Sequence, residues 1–300
     1  NPFDADEFTS RRYGMDDVYN YKLTDKARLQ TKVYFSDFYR DWWKQTSTVV
    51  HAGDVEEYVG ADIYAASFSY LDDVTIGPDD YVRVGKVANG YESNTDSRWQ
   101  YRVYGVQEKY IQQYGKHTFE AAVKWHKEYY NDVVVNGDSS KWARSGRLTR
   151  DDVFHLNAIS FYARNNFEFN RFSVIPIVRY ETILLNKVNA LANATNPDAT
   201  GVDFNMLENN FDEFTPGINI IYRDIMVLNS SLEIYGGAYK GFSSPTTAIA
   251  FNEVTNGEVT PAVDIANLKP EVSFNQEVGV RMTHNKQVFN TQLSVFNTFI

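Results

Sequence analysis

No cysteine occurs among the 300 residues, which excludes a disulfide framework and a thiolate metal site. No apolar run approaches the roughly 18 residues that suggest a membrane-spanning helix. Positive charge is scarce too. The 29 Lys and Arg against 39 Asp and Glu leave a net charge of -10, the wrong sign for a nucleic-acid partner, which calls for a basic face. A hydrolytic constellation is also missing. The five histidines (His51, His117, His126, His155, His284) are scattered. None has the i,i+4 spacing of a zinc-binding helix, and neither a Gly-rich phosphate loop nor a Gly-x-Ser-x-Gly turn is present. The expectation is a protein that is not an enzyme and has no resident cofactor or metal.

What the chain does hold is aromatic residues, with 21 Tyr and 20 Phe. Such side chains favour pleated surfaces, so the class is all-β. The mean hydropathy of -0.44 does not oppose a membrane location, because a transmembrane barrel puts polar residues on the inner side of every strand. Alternation supports this reading. Leu29, Thr31, Val33 and Phe35 fall on one side of a strand with Arg28, Gln30 and Lys32 on the other. The clearest case is Phe119, Ala121, Val123 and Trp125 against Glu120, Lys124 and His126. The first set suits lipid and the second a wet interior. Phe172, Val174, Pro176, Val178 and Tyr180 oppose Arg179 and Glu181 in the same way. Pro176 removes a ladder donor and predicts a bulge or irregular pairing.

Joins alternate along the chain. Short ones fall near residues 25, 114, 169, 229 and 285, and long polar ones occupy about 45–96, 131–152, 185–211 and 243–267. Antiparallel strands of a barrel give this rhythm when one end faces the periplasm and the other the exterior. Within the first long loop, Ala66–Tyr70 and Tyr81–Val84 read as small strands. The aromatic cluster Tyr39-Arg40-Asp41-Trp42-Trp43 suits a girdle at the lipid–water boundary. Arg102, Arg179, Glu181, Arg223, Glu277 and Arg281 are expected to face inward as salt-bridged ladders. The whole of 1–300 is thus an antiparallel transmembrane β-barrel segment of about ten strands, and both termini read as cut.

The centre of this organisation is Leu232 to Met282. It contains Tyr-Lys-Gly-Phe-Ser-Ser-Pro (Tyr239 to Pro245), Leu-Lys-Pro-Glu (Leu268 to Glu271) and Glu-Val-Gly-Val-Arg (Glu277 to Arg281). These segments resemble the late-barrel pattern of TonB-dependent outer-membrane receptors. Arg11-Arg12-Tyr13-Gly14 and Phe38-Tyr39-Arg40-Asp41-Trp42-Trp43 look like the ferric dicitrate branch. Ile175-Pro176-Ile177-Val178-Arg179-Tyr180-Glu181 is similar to the family's Pro-Gly-x-Arg-Tyr strand, with Ile177 in place of Gly. The resemblance implies a 22-stranded barrel in the outer membrane of a Gram-negative bacterium, plugged by an N-terminal domain that lies outside this chain. It further implies import of a ferric chelate or siderophore, ferric citrate foremost, with energy relayed by the TonB complex. Related receptors for oligosaccharide or cobalamin, and a passive porin, are the alternatives. Outer-membrane lipid and lipopolysaccharide are expected surroundings.

The long loops are where such a receptor would select its ligand. Lys141, Arg144, Arg147 and Arg150 stand within ten residues of an acidic protein. Arginine forks match carboxylates in paired hydrogen bonds, so these four cations suit an anionic chelate. They equally suit lipopolysaccharide phosphates or neighbouring acidic loops. Asp72-Asp73 and Asp79-Asp80 read as solvated turns, with a divalent cation as the alternative.

Overall fold

The computed structural model describes residues 4–57, 77–88, 90–137, 139–191, 206–227, 230–244, 254–255, 258–259, 269–284 and 290–300. Its first part holds β1 (Glu7–Lys22), β2 (Ala27–Gln45), β3 (Ser47–His51), β4 (Tyr81–Gly85), β5 (Val87–Ala88), β6 (Tyr91–Glu92), β7 (Asn94–Tyr114) and β8 (His117–Gly137). After these come β9 (Gly146–Phe169), β10 (Phe172–Asn189), β11 (Met206–Val227), β12 (Ser230–Ser243), β13 (Val254–Thr255), β14 (Glu258–Val259), β15 (Glu271–His284) and β16 (Asn290–Phe299). Ten of them form one antiparallel sheet in the order β1-β2-β7-β8-β9-β10-β11-β12-β15-β16, and the other six pair two by two, as β3-β4, β5-β6 and β13-β14, in the excursions. Every main strand pairs with the next main strand in sequence, the up-and-down connectivity of a barrel wall.

The tight joins follow from local chemistry. Gly115 and Asn170 carry φ of 60 and 54, a left-handed turn geometry that Gly and Asn tolerate. They let β7 return as β8, and β9 as β10, through two residues each. Between β1 and β2, the Leu23 and Thr24 amides both donate to the Ala27 carbonyl, at 2.9 and 3.0 Å.

One face of the sheet carries an apolar belt. Val33, Val106, Val123, Trp125, Phe161, Val178, Ile218 and Ile220 all project into the surroundings, Val123 at 47% and Trp125 at 37% exposure. Cross-strand register aligns them, with Val33 opposite Val106 and Val106 opposite Trp125. Phe119 is half-buried on the same face. None of Phe119, Ala121, Val123 and Trp125, named for the outward side of β8, sits in a dry protein centre, as the alternation requires. Water penalises a belt of this breadth, and hydrocarbon does not. Above it the outward face turns polar, with Asp37, Arg102 and Lys127 next in line. Arg102 ion-pairs with Asp37 at 2.6 Å there.

Several expectations need correction. The second long loop, 131–152, is mostly sheet: β8 runs to Gly137 and β9 starts at Gly146, so the join is 138–145. Likewise β7 begins at Asn94, β10 extends to Asn189, β11 begins at Met206, and β15 begins at Glu271. Arg102 shares the outward face with Val106 and does not join Arg179. Tyr81–Val84 is indeed strand, within β4, whereas Ala66–Tyr70 and Asp72-Asp73 lie outside the described residues. Pro176 gives the irregular pairing that the sequence predicts, without a bulge. Its partner across β11 is Ile218, but toward β9 the ladder skips Ile175 and Pro176 and resumes in unchanged register. That gap is the missing proline donor.

Candidate functional site

The inward face, opposite the belt, brings aromatic rings into one row. Phe38 stands opposite Tyr101, Tyr101 opposite Tyr130, Tyr130 opposite Phe154, and Phe154 opposite Lys187. The Tyr130 and Phe154 rings lie 5.4 Å apart, and the Trp99 ring meets Tyr130 edge-on at 5.8 Å. With Glu128, Leu156 and Leu185, these rings enclose an open pocket of about 440 Å³. Phe154 is only 6% exposed. The Tyr101 and Tyr130 phenols are pushed upward by burial, so both are neutral hydroxyls.

Charged pairs border the pocket on the side of the long joins. The Arg40 guanidinium lies over Trp99, 3.4 Å from its centroid, and the Trp99 indole N–H donates to Asp132 at 3.0 Å. Arg150 pairs with Asp132 at 3.3 Å and Lys187 with Asp152 at 3.4 Å. Burial raises the Asp152 carboxyl and lowers the Lys187 ammonium, while each partly offsets the other's shift. On the other side of the pocket, Glu128 Oε1 meets His126 Nε2 at 2.8 Å, and His126 Nδ1 hydrogen-bonds the Tyr34 hydroxyl at 2.6 Å. Tyr34 reaches across because Gly105 lies between; a Cβ there would collide with its hydroxyl and with the Trp125 carbonyl.

The four loop cations do not converge. Lys141 pairs with Asp4 at 3.5 Å and Glu92 at 3.2 Å. Arg144 pairs with Glu7 at 2.8 Å, donates to the Ala5 carbonyl at 2.7 Å, and covers the Trp43 ring at 5.6 Å. Both belong to the 138–145 turn, which folds onto the ends of β1, β2 and β7. Trp43 is therefore buried under Arg144. Arg147 and Arg150 stand on β9. Arg147 is exposed opposite Asn136, and Arg150 alone of the four reaches the edge of the ring pocket.

Beneath the turn, Asn94 donates to the Lys141 and Ala143 carbonyls at 2.9 and 2.6 Å. Beside it Asp96, 2% exposed, lies close to the Asp41 carboxyl. Burial first, then Asp41, pushes Asp96 up to about 7, against the pull of Arg98 at 3.0 Å. Asp80 caps its own turn, its carboxylate accepting from the Gly77 amide at 2.7 Å. No group of three or more His, Asp or Glu placed to hold a metal occurs among the described residues.

A family described as TonB dependent receptor-like, beta-barrel, matches residues 1–300. The chain belongs to the TonB-dependent receptors. Among solved structures of such proteins, the ferric citrate transporter FecA in its unliganded form is 15% identical. The match covers 99% of this chain and 35% of FecA, with a TM-score of 0.65. The ferric-catecholate import receptor Fiu from E. coli K12 is 13% identical, with coverages of 98% and 41% and a TM-score of 0.64. The copper transporter OprC is 12% identical, with coverages of 99% and 39% and a TM-score of 0.59. A search of curated proteins finds no match. The chain thus spans about two fifths or less of these receptors, and identities this low carry the fold. For a TonB-dependent receptor, the belt faces lipid and the ring pocket faces the bore.

Proposed function

We propose that the full-length protein sits in the outer membrane of a Gram-negative bacterium and imports a ferric chelate, with energy relayed by TonB through a region N-terminal to this chain. The observation that carries the reading is a bore wall lined with rings and cations at its exterior end, in a chain of this family. Arg40, Arg150 and Lys187 are arranged there to meet an anionic solute, since charge-assisted hydrogen bonds are the strong ones. Transport, and not catalysis, is the activity, and the chelate is cargo instead of a resident cofactor. Ferric citrate is the ligand that the sequence resemblance nominates, and structural likeness to the ferric citrate transporter and the ferric-catecholate import receptor supports iron cargo. Among the loop cations, Arg147 and Arg150 are the better placed to approach it, because both stand on the inward face of β9, whereas Lys141 and Arg144 fold onto the acids at the ends of the neighbouring strands. On the outer side, Arg102 and Lys127 stand just above the belt, where lipopolysaccharide phosphates lie.

The test is growth. A strain lacking the full-length gene should grow poorly in iron-limited medium supplied with the cognate ferric chelate and recover when the gene is restored. Equal growth of both strains on every ferric chelate supplied, ferric citrate included, would remove the iron reading.

A further inference from the structure

We infer that the lipid-facing wall carries a docking surface for a second membrane-embedded protein, one that brings a lysine or arginine against Glu108 in the middle of the apolar belt. Register puts Glu108 on the outward face. Its cross-strand partners are Thr31 and Val123, and Val106 and Tyr110 flank it along β7. The side chain is exposed. Thr31 donates its hydroxyl to the carboxylate at 2.5 Å, and no basic side chain pairs with it among the described residues. Ionisable groups of a membrane-spanning wall ordinarily turn to a wet interior or to a partner, and this one turns to hydrocarbon. Beside it lies a shallow recess of about 430 Å³ in the same face. Its floor is Ala121 opposite Ala163, and Tyr110, Phe161, Tyr180 and Phe214 wall it.

Depth narrows the occupant. Arg102, where the outward face turns polar, and Tyr114, where β7 ends, each lie six residues from Glu108. At ~3.3 Å per residue and a tilt of about 40°, either margin is about 15 Å away. A glutamate side chain is too short to snorkel that far, and the ammonium of a phospholipid headgroup stays at the margin. Acyl chains reach the recess but bring no charge. A second copy of this chain does not complement the site either. Copies inserted the same way up meet at equal depth, where the outward residues of β2 and β7 to β11 include no lysine or arginine. The outward cations of β7 and β8 nearest to Glu108, Arg102 and Lys127, stand above the belt, and Arg102 is already paired with Asp37. A different protein meets both requirements when it offers an apolar surface with one basic residue at mid-depth. An alanine floor lets its backbone approach closely within lipid. Contact that closes the recess puts the ion pair where the dielectric is low and the attraction strong.

The experiment uses the full-length receptor in intact cells of its own bacterium. The probe is the photo-crosslinking residue p-benzoylphenylalanine, placed either at Val123, opposite Glu108, or at Val278, exposed on β15 away from the recess. Illumination should give a discrete protein adduct from the Val123 position and none from Val278. Capture alone does not support the inference; its dependence on charge does. Glu108→Gln should lower the yield of the adduct by about tenfold, the scale of a charge-assisted hydrogen bond, and Glu108→Lys should abolish it. Mass spectrometry of the adduct locates the partner's membrane-facing lysine or arginine. Exchanging that residue for glutamate should restore the adduct to the Glu108→Lys receptor. Each variant is compared at equal amounts of receptor in the outer membrane. If Glu108→Lys fails to assemble, the isosteric Glu108→Gln decides by yield. An adduct with lipid alone, an adduct with a second copy of the receptor, or no adduct would overturn the inference. So would a protein adduct whose yield is the same with glutamate and with glutamine at position 108. None of these readouts involves the imported solute, so the import reading stands or falls separately.

Discussion

Asp96 is the residue whose ionisation the fold most alters. A carboxyl held up at about 7 keeps its proton where an ordinary one has lost it. The folded state therefore binds more protons than the unfolded state between about pH 4 and 7, and linkage makes stability fall as pH rises through that window. Above it the loss is complete, and below it absent. Asp96→Asn keeps a hydrogen-bond donor toward Asp41 and removes the titration. The variant should gain on the parent steadily from about pH 4 to pH 7 and hold that gain above it, as seen in thermal unfolding of the full-length receptor at several pH values. Parallel stability profiles would show that the shared proton is absent. Nothing in the sequence marks Asp96, because its environment comes from Asp41 on β2 and from the turn folded over both. The ring pocket was hidden for a similar reason. Tyr130 has the parity of Lys124 and His126 on β8 and so is legible as inward, but which rings of β7 and β9 stand beside it depends on a register set across joins of unknown length. Arg102 was misassigned because Tyr101 and Val103 are as apolar as Tyr104 and Val106, and the alternation there favours neither face.

At the scale of elements, the belt and its tight turns were readable and the strand extensions were not. Inside the belt one face meets hydrocarbon and the other water, so the sequence alternates with period two. Above the belt both faces meet polar surroundings. β8 and β9 continue through Asp132 to Gly137 and Gly146 to Asp152 with no such contrast, and these segments pass for loop. The basic residues of the 139–145 turn read in the sequence either as ligand contacts or as partners of neighbouring acidic loops, and Lys141 and Arg144 pair with Asp4, Glu92 and Glu7, so the turn clasps its neighbours. Asn94, 1% exposed, holds that clasp through two carbonyls, so Asn94→Ala leaves both without their donor at a cost of about 1–3 kcal/mol. A local loss of that size raises the open population by about fivefold or more. Trypsin added to intact cells should then cut after Lys141 or Arg144 correspondingly faster in the variant. An unchanged cleavage rate would mean that Asn94 does not secure the turn.

For the whole molecule, sidedness is the governing property. Tight joins such as Gly115-Lys116 and Asn170-Arg171 fall at one end of the sheet, and the 138–145 turn and the larger excursions at the other. Because the chain has no cysteine, single replacements report this directly. In the full-length receptor, Ser140→Cys should react with a membrane-impermeant maleimide on intact cells, and Lys116→Cys only after the outer membrane is breached. The reverse pattern would invert the orientation, and with it the placement of the ring pocket at the exterior end. Strands of up to 24 residues far exceed the 9 to 11 that cross a bilayer, so the wall stands well proud of its lipid. On the proposed import reading, the ring pocket is thereby lifted clear of the headgroups. Exchanging phospholipid for detergent micelle, or trimming the sugars of neighbouring lipopolysaccharide, should leave solute affinity nearly constant even where it alters how firmly the cylinder is anchored.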